Sequence, residues 1–436
     1  MNEHAFNDDF FKFLIASPTP FHAVSTMATR FRNHGFQQLR EQDSWKLEEG
    51  NTYFVIREDG ALIAFSLGSK AYATEGFRIL GAHTDSPCLQ IKPLPDINNQ
   101  HYHQLSVEIY GGALLNPWFD RVLSVAGRVC CRTVDNSLQT LLVDLNRPLL
   151  IIPSLAIHFD REANKIHPIN AQQHLIPLIS QVVSDTFPVF KTILREQISR
   201  EYQDRDVAEI LGFDMFCYDA QPPCHVGYKN EFISASRLDN LLSCFVGMRS
   251  ILEADGNGNC MFICNNHEET GSTSATGALG SLPVATIERL IPEVETRQIC
   301  LGKSFFISMD NAHGVHPNYT DKSDPSHSIQ LNHGPVIKIN ANQRYATNSF
   351  SNAYFQVLAN EVGVKTQEFV MRSDMACGST IGPLIASQLG VRTVDVGAPS
   401  LAMHSIRELT GSQDPYLLYQ TILHFLSRKH LPGEKQ

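Results

Sequence analysis

Apolar residues recur at helical spacing near the start of the 436-residue chain and in short strand-like runs soon afterwards. The helical spacing predicts helices over residues 8–16 and 21–34. The Ser-Pro-Thr-Pro segment at 17–20 separates them, because proline disfavours helical geometry in the residue before it. The apolar runs that follow predict three β-strands, Thr52–Arg57, Ala61–Ser66 and Phe77–Gly81.

Residues 92–230 have a different pattern. Their apolar runs are short, rich in β-branched residues and punctuated by glycine or proline, which predicts an antiparallel β-rich unit. These runs are Leu105–Tyr110, Leu123–Arg132, Thr140–Asp144 and Leu149–Ile152. From residue 231 onward, apolar runs alternate with helix-length segments, which predicts a largely parallel or mixed α/β sheet. The runs are Met261–Cys264, Phe305–Ser308 and Thr393–Val396, and the helical segments are Leu241–Glu253, Asn352–Val362 and Pro415–Ser427.

The early strand that ends at Gly81 resembles the strands after residue 231 more than it resembles its neighbours. We therefore predict an α/β protein with a discontinuous domain, residues 1–91 plus 231–436, in which helices flank a mixed sheet. Residues 92–230 are predicted to form an inserted β-rich domain.

Composition excludes several classes of function. The chain has 35 Lys and Arg against 45 Asp and Glu, with a net charge of −10 and no basic run, so we expect no nucleic-acid partner. No apolar stretch reaches about 18 residues, so we expect no membrane span. The N-terminus lacks the basic region of a secretory signal, and the ten cysteines are scattered. We expect a cytoplasmic protein with reduced thiols.

Metal-binding residue types follow the strand-like runs. His83 follows the run that begins at Phe77, Glu268 and Glu269 follow Met261–Cys264, and Asp310 follows Phe305–Ser308. His404 comes a short loop after Thr393–Val396, and Asp239 stands just before a predicted helix. Ligands of open α/β sheets bind beyond the carboxyl ends of the strands. We therefore predict that these distant residues converge on one site, provided that the strands are parallel.

The charges of these residues fit two metal ions. Two zinc ions carry +4 and three carboxylates carry −3, so a bridging hydroxide is favoured, and zinc lowers the pKa of bound water to about 7. Imidazole and carboxylate ligands suit zinc, with cobalt or manganese as substitutes. Of the adjacent Glu268 and Glu269, one can bind metal while the other stays free as a general base. Asp85 is a candidate acceptor for the imidazole N–H of His83.

Several motifs resemble those of the aspartyl aminopeptidase family of zinc metallopeptidases, in the same order and over nearly the whole chain. The motifs begin with Gly81-Ala82-His83-Thr84-Asp85-Ser86-Pro87, Ser236-Arg237-Leu238-Asp239-Asn240, Asn266-His267-Glu268-Glu269-Thr270-Gly271-Ser272 and Ser308-Met309-Asp310-Asn311-Ala312-His313. The later ones are Gly334-Pro335-Val336-Ile337-Lys338, Asn342-Gln343-Arg344-Tyr345-Ala346, Arg372-Ser373-Asp374-Met375, Cys377-Gly378-Ser379-Thr380-Ile381-Gly382-Pro383 and Met403-His404-Ser405.

The resemblance implies a role for each candidate. His83 and Glu269 would hold one zinc, Asp310 and His404 the other, Asp239 would bridge them, and Glu268 would activate the water. The resemblance also implies that the inserted domain serves dimerisation, in a large homo-oligomer that we expect to be a tetrahedral dodecamer. The implied substrates are peptides, with a preference for N-terminal Asp or Glu.

The substrate-binding residues are less determined by the sequence. Lys338 lies in an otherwise apolar run, where a lysine usually extends its ammonium to the surface, but it is also a candidate partner for an acidic substrate side chain. Arg344 and Arg372 compete for that role, and Tyr345 is a candidate oxyanion donor. His158 reads as a strand residue, whereas the resemblance implies that it reaches a neighbouring subunit's active site.

Two other functions remain open from the sequence. A related di-metal deacylase or carboxypeptidase would use similar ligands and would recognise a substrate carboxylate instead of a free amine. A metal-stabilised scaffold would need the ligands without a free base, so the presence of Glu268 favours an enzyme.

Overall fold

The computed structural model describes residues 2–68, 72–73, 75–166, 168–182, 188–255, 258–428 and 430–431. The strands in chain order are β1 Gln37–Leu39, β2 Thr52–Arg57, β3 Ala61–Ser66, β4 Arg78–His83, β5 Cys88–Asn99, β6 Tyr102–Tyr110, β7 Leu123–Thr133, β8 Leu138–Asp144, β9 Leu178–Gln181, β10 Val207–Asp219, β11 Cys224–Val226, β12 Phe232–Ala235, β13 Cys260–Asn265, β14 Phe305–Met309, β15 Ala312–His313, β16 Val336–Ile339, β17 Gln367–Val370, β18 Arg392–Gly397, β19 Pro399–Leu401 and β20 Glu408–Gly411. The helices are α1 Glu3–Ile15, α2 Pro20–Asn33, α3 Ala171–His174, α4 Phe190–Glu201, α5 Leu238–Glu253, α6 Leu282–Leu290, α7 Val294–Lys303, α8 Ser349–Glu361, α9 Ile381–Leu389 and α10 Asp414–Ser427.

The chain divides into two compact units. The first consists of Met1–Asp85, Pro223–Met403 and Glu408–Gln436. The second consists of Ser86–Pro222 and the four residues His404–Arg407. The domain boundaries at 92 and 230 stay a prediction.

A nine-stranded mixed sheet forms the centre of the first unit, in the order β1-β2-β3-β13-β4-β14-β18-β16-β17. Its four central strands, β13, β4, β14 and β18, run parallel to one another. Strand β3 pairs with β13 in the antiparallel sense, as β16 does with β18. The predicted mixed α/β fold is thereby confirmed, and the strands that precede the candidate ligands belong to its parallel centre.

Helices cover both faces of this sheet because successive strand residues point to opposite sides. On one face, Phe262 and Cys264 pack with apolar residues of α1, α2, α5, α8 and α10. On the other face, Met261 and Ile263 pack with residues of α6, α7 and α9. Strands that are apolar on both faces are typical of a buried parallel sheet. A smaller five-stranded sheet, β11-β12-β20-β19-β15, completes the unit.

The second unit is built on a six-stranded sheet in the order β8-β7-β10-β5-β6-β9, with every pair antiparallel. Helix α4 contributes Phe190, Leu194 and Ile198 to the apolar core of this unit. The antiparallel β-rich prediction for this part of the chain is confirmed.

Two local predictions about this unit were wrong. Leu149–Ile152 forms isolated bridges to Leu123, Phe119 and Leu178 rather than a strand. His158 lies in an exposed turn and not in a strand. Its neighbours Leu155, Ile157 and Phe159 are apolar and suggested a strand, yet each is more than 40% exposed. Apolar composition therefore does not mark burial in this segment.

None of the helices among the described residues combines the length and the apolar character needed to span a lipid bilayer.

Candidate metal centre

The carboxyl ends of three neighbouring parallel strands bring the first candidate ligands together. His83 is the last residue of β4, Asp310 follows the end of β14, and Glu268 comes three residues after β13. Strands β13 and β4 are in register, with Asn265 opposite His83. Because all three strands run in the same direction, their ends lie at one edge of the sheet. The prediction of one shared site required parallel strands, and that requirement is met for His83, Asp310 and Glu268.

Asp239 reaches the same edge by a different route, from the first turn of α5. Its backbone N–H donates to the Glu408 carboxylate at 2.9 Å. The side-chain amide of Asn240 donates to the carbonyl of Met309 at 2.8 Å, which ties the start of α5 to the end of β14. The turn before Asp239 has a left-handed residue, Arg237, at φ 60°. These contacts hold the Asp239 carboxylate beside Asp310.

The imidazole of His83 faces two of these carboxylates. Its Nε2 lies 3.5 Å from Oδ1 of Asp239 and 4.0 Å from Oδ1 of Asp310. Potential ligand atoms of His83, Asp239 and Asp310 all lie within 4.8 Å of one another, as do those of His83, Glu268 and Glu269. His83 therefore belongs to two overlapping groups that could each hold a metal ion.

Asp85 organises both sides of this cluster. Its carbonyl lies 3.1 Å from Nδ1 of His83, and since a carbonyl only accepts, Nδ1 carries the proton and Nε2 is left for a metal. The two carboxylate oxygens of Asp85 accept from the backbone N–H groups of Glu268 and Glu269, each at 3.1 Å. The contacts of Asp85 are those of a positioning residue.

Glu268 and Glu269 begin a short 3₁₀ turn, Glu268–Thr270, and not an extended segment. The residue before them, His267, has a left-handed backbone at φ 58°. Its Nδ1 lies 2.7 Å from the Ser274 hydroxyl. On a turn, adjacent side chains diverge around one centre, so one glutamate can bind a metal while the other stays free.

The carboxylates of this cluster carry more negative charge than the nearby His83 and Lys338 neutralise. Burial, reinforced by the charge of Asp310 and opposed by His83, raises the pKa of Glu268 to about 8. Burial and the neighbouring Asp239 raise the pKa of Glu269 well above its usual range. Burial also raises the pKa of Asp310 to about 6, against the opposing charge of Lys338. These carboxyl groups resist ionisation because they are buried and lie close to one another.

Burial disfavours protonation of His83, but hydrogen bonds to Asp239 and Asp85 outweigh it and raise the pKa of His83 well above its usual range. A protonated His83 places one positive charge among these carboxylates. A divalent ion would supply that charge and displace the protons, so this donor set fits a metal. One imidazole with three or more carboxylates suits zinc and its neighbours in the transition series.

Lys338 and Tyr345 lie beside Asp310. The Lys338 ammonium is 3.7 Å from Oδ2 of Asp310 and donates to the carbonyl of Asn311 at 3.1 Å. Its side chain is only 3% exposed, so it is not the surface lysine that its position in the strand suggested. The ammonium also lies 5.2 Å from the centre of the Tyr345 ring. Burial and a side-chain hydrogen bond with Cys377 raise the pKa of Tyr345.

Of the other candidate substrate-binding residues, Arg344 and His158 are exposed and Arg372 is half-buried. Arg344 lies on an exposed bend, and among the described residues its guanidinium has no hydrogen-bond or ion-pair partner. Arg372, by contrast, pairs with Asp374 at 2.6 Å. His158 lies in the exposed turn of the second unit.

His404 belongs to the second unit, and its surroundings there are well defined. Its Nδ1 lies 3.2 Å from the carbonyl of Gly112, which fixes the proton on Nδ1 and leaves Nε2 for a ligand, as in His83. Its role as a ligand stays a prediction.

Sequence reasoning missed Glu408, the acceptor for the Asp239 N–H. Glu408 is only 2% exposed, and it begins a strand, β20, whose other residues are apolar or small. A glutamate at the buried start of such a strand needs a polar partner, and this was the available signal.

Comparison with known proteins assigns the chain to a family. A family model described as Aminopeptidase I zinc metalloprotease (M18) matches residues 13–426. The probable M18 family aminopeptidase 2 of Stutzerimonas stutzeri (strain A1501) is 49% identical over 427 residues, which is 98% of this chain and 99% of that protein.

Solved structures agree with this assignment. A chain in the cryo-EM structure of the Ape4 and Nbr1 complex has a TM-score of 0.95 at 38% identity, over 98% of this chain and 86% of that chain. The S. cerevisiae mApe1 dodecamer gives a TM-score of 0.83 at 28% identity, over 97% and 96% of the two chains. The matched motifs, the fold and the relatives agree over nearly the whole sequence, and the chain belongs to the M18 family of zinc aminopeptidases.

Proposed function

We propose that this protein is a two-zinc aminopeptidase that hydrolyses the N-terminal bond of peptides, with a preference for N-terminal Asp or Glu. The observation that carries the proposal is the position of His83. Its Nε2 faces Asp239 and Asp310, while Glu268 and Glu269 flank it on a turn that Asp85 holds. A buried group of carboxylates with so few cations is suited to divalent ions.

The ligands divide between two ions as the motifs imply. His83 and Glu269 would hold one zinc, Asp310 and His404 would hold the other, and Asp239 would be shared between them. Cobalt or manganese are the substitutes that this donor set would accept. When bound, the ions would orient the free amino group of the substrate, polarise the scissile carbonyl and acidify the attacking water.

Glu268 acts as the general base. Its carboxylate accepts a proton from the attacking water and later delivers it to the leaving amine. Burial and the neighbouring carboxylates raise the pKa of Glu268 to about 8. Two cations nearby would lower that pKa, because opposite charge favours the ionised form, and the base would then be ionised at neutral pH.

The preference for an acidic residue requires a cation that is not already engaged. Lys338 donates to Asn311 and faces Asp310, so its ammonium is committed to the metal-binding carboxylate. Arg344 is exposed and is the better candidate for the substrate carboxylate. Tyr345 is proposed as an oxyanion donor, and His158 as a residue that contacts the substrate from a neighbouring subunit.

We expect Arg344→Ala to reduce the ratio of kcat/KM for an Asp-initiated peptide over a Leu-initiated peptide by about 10–100-fold, since a hydrogen bond to a charged group contributes about 1.5–3 kcal/mol. Lys338→Met should lower kcat/KM for both peptides in equal proportion, because it disturbs Asp310. The measurement is kcat/KM for each peptide with each variant. An unchanged ratio in Arg344→Ala, or a changed one in Lys338→Met, would reverse the assignment.

We also propose that the chain assembles into a homo-oligomer through its inserted β-rich unit, and that the assembly is a tetrahedral dodecamer. The dodecamer formed by the S. cerevisiae relative supports this.

All ten cysteines are free thiols, which favours a reducing compartment such as the cytoplasm.

The test of the proposed function is amino-acid release from free-amine peptides that begin with Asp, Glu or Leu. Purified protein should release Asp or Glu fastest, and a chelator should abolish release. Release should return when zinc is restored. Chelator-sensitive release of Leu alone would retain the reaction and overturn the preference, and no release by zinc-loaded protein would overturn the function.

A further inference from the structure

The second unit, here called the inserted unit, consists of Ser86–Pro222 together with His404–Arg407. These four residues lie almost two hundred positions after Pro222 in the sequence. Strands β19 and β20, on either side of them, belong to the first unit. The segment is thus a short excursion of the chain. The segment begins at a left-handed residue that is not glycine, His404 at φ 67°, and Ala402, two residues earlier, is also left-handed at φ 56°. Such a conformation persists only where the surrounding structure holds it.

The inserted unit contacts His404 at both its backbone and its ring. The carbonyl of His404 accepts from the N–H of Leu114 at 2.9 Å. The ring Nδ1 donates to the carbonyl of Gly112 at 3.2 Å, which sets the tautomer and restricts the rotation of the ring. A Cβ on Gly112 would stand 3.4 Å from this nitrogen and 3.9 Å from Cε1. A Cβ would therefore make ordinary van der Waals contact with the ring, and a larger side chain would extend toward it.

Arg407 fastens the other end of the segment. Its guanidinium donates to the Asp219 carboxylate at 3.1 Å, to the carbonyl of Gln221 at 3.0 Å and to the carbonyl of Pro222 at 2.7 Å. The side chains of Arg407 and Asp219 are 8% and 1% exposed. Ile406, between the two anchors, lies in the apolar core of the inserted unit.

We propose that Arg407 and Asp219 are positioning residues that hold the His404 imidazole ready to bind zinc. The inference rests on the proposed function, in which His404 is a zinc ligand. A ligand on a flexible segment must be ordered when the ion binds, which weakens affinity. Here the anchors at Gly112, Leu114 and Asp219 order the segment in advance, so that cost is already met in the folded protein.

Arg121 provides a matched control for Arg407. Its guanidinium donates to the same Oδ2 of Asp219, also at 3.1 Å. Arg121 lies in the inserted unit itself and not in the 404–407 segment. Removing either arginine deletes one ion pair to Asp219, but only Arg407→Ala releases the segment that carries His404.

The experiment measures zinc affinity by competition with a chromophoric chelator, using the full-length chain as wild type, Arg407→Ala, Arg407→Lys, Arg121→Ala and His404→Ala. We expect Arg407→Ala to weaken one of the two zinc sites by about 10–100-fold, the usual effect of removing a group that orients a ligand. Arg407→Lys should restore part of the loss, and Arg121→Ala should stay within about 3-fold of wild type. The visible spectrum of the cobalt-loaded protein should change in Arg407→Ala at the site that His404→Ala removes.

Wild-type affinity at both sites in Arg407→Ala would overturn the inference, and so would an equal loss in Arg121→Ala. Either result would leave the proposed function intact, whereas wild-type protein that binds no zinc would overturn that function itself. If Arg407→Ala does not fold, Gly112→Val replaces it, since its added carbons extend beyond a Cβ whose described neighbours are both atoms of the His404 ring. Weakened zinc binding in Gly112→Val would support the inference, and unchanged binding would overturn it.

Discussion

Replacing Glu268 with glutamine should lower kcat by about 10²–10⁴-fold, the usual contribution of general acid–base transfer, while the zinc content stays at the wild-type value. Glutamine has nearly the same shape as glutamate but cannot accept a proton at neutral pH. The backbone N–H of residue 268 would still donate to Asp85, so the turn that also carries Glu269 is retained. KM should change little, because the lost interaction belongs to the transition state.

The measurement is steady-state hydrolysis of an Asp-initiated peptide, together with zinc analysis of the same samples. Glu295→Gln is a suitable control, because Glu295 is an exposed residue in the first turn of α7 and the same chemical change is made there. Turnover near the wild-type rate in Glu268→Gln would show that another group accepts the proton. A loss of zinc in this variant would instead make Glu268 a ligand.

The parallel centre of the main sheet and the residues at its edge were predictable from the sequence. Buried parallel strands are continuous apolar runs, and β13, β14 and β18 stand out as such runs between helix-length segments. Once those strands are parallel, the residues that follow them lie at one edge of the sheet. His83 and Asp310 could therefore be placed together without any knowledge of side-chain contacts.

Asp239 shows where this reasoning stops. It follows no strand of the parallel centre, and its position depends on the Asn240 amide and the Glu408 carboxylate, which are contacts made by distant parts of the chain. No local pattern specifies those partners. The sequence offered Asp239 as a ligand only through its residue type and its place just before a predicted helix, and the resemblance of the Ser236–Asn240 motif to a known family supported that assignment.

The sequence pattern did not predict the orientation of charged side chains either. The apolar run around Lys338 suggested an ammonium extended to the surface, yet the side chain is buried against Asp310. A buried lysine costs free energy unless a carboxylate and a hydrogen-bond acceptor face it, and here Asp310 and the carbonyl of Asn311 do so. Such pairing depends on where β14 and β16 lie in the sheet, which periodicity does not reveal. Periodicity also does not show which distant segments an apolar run packs against, and for this reason Leu149–Ile152 and the turn that contains His158 were wrongly predicted to be strands.

The charge balance of the cluster leads to the second large effect. Replacing Asp239 with asparagine should weaken zinc binding by more than about 100-fold, beyond the effect of losing a group that only orients a ligand. Asparagine keeps an oxygen near Nε2 of His83 but removes one of the three negative charges assigned to the ligands. A bridging residue contacts both ions, so we expect both sites to weaken and hydrolysis to fall with zinc occupancy.

Thermal unfolding with and without zinc separates ligand loss from misfolding. In wild type, zinc at 100 times its Kd should stabilise the fold by about 2.7 kcal/mol, because it binds the native state alone. In Asp239→Asn the zinc-dependent rise in Tm should largely disappear. The chelator-treated variant should melt close to chelator-treated wild type, since removing one carboxylate also relieves repulsion with Glu269 and Asp310. Asp43→Asn, a change to an exposed aspartate, should keep the full rise. A wild-type rise in Asp239→Asn would remove Asp239 from the ligand set, because a bridging carboxylate cannot lose its charge without loss of affinity.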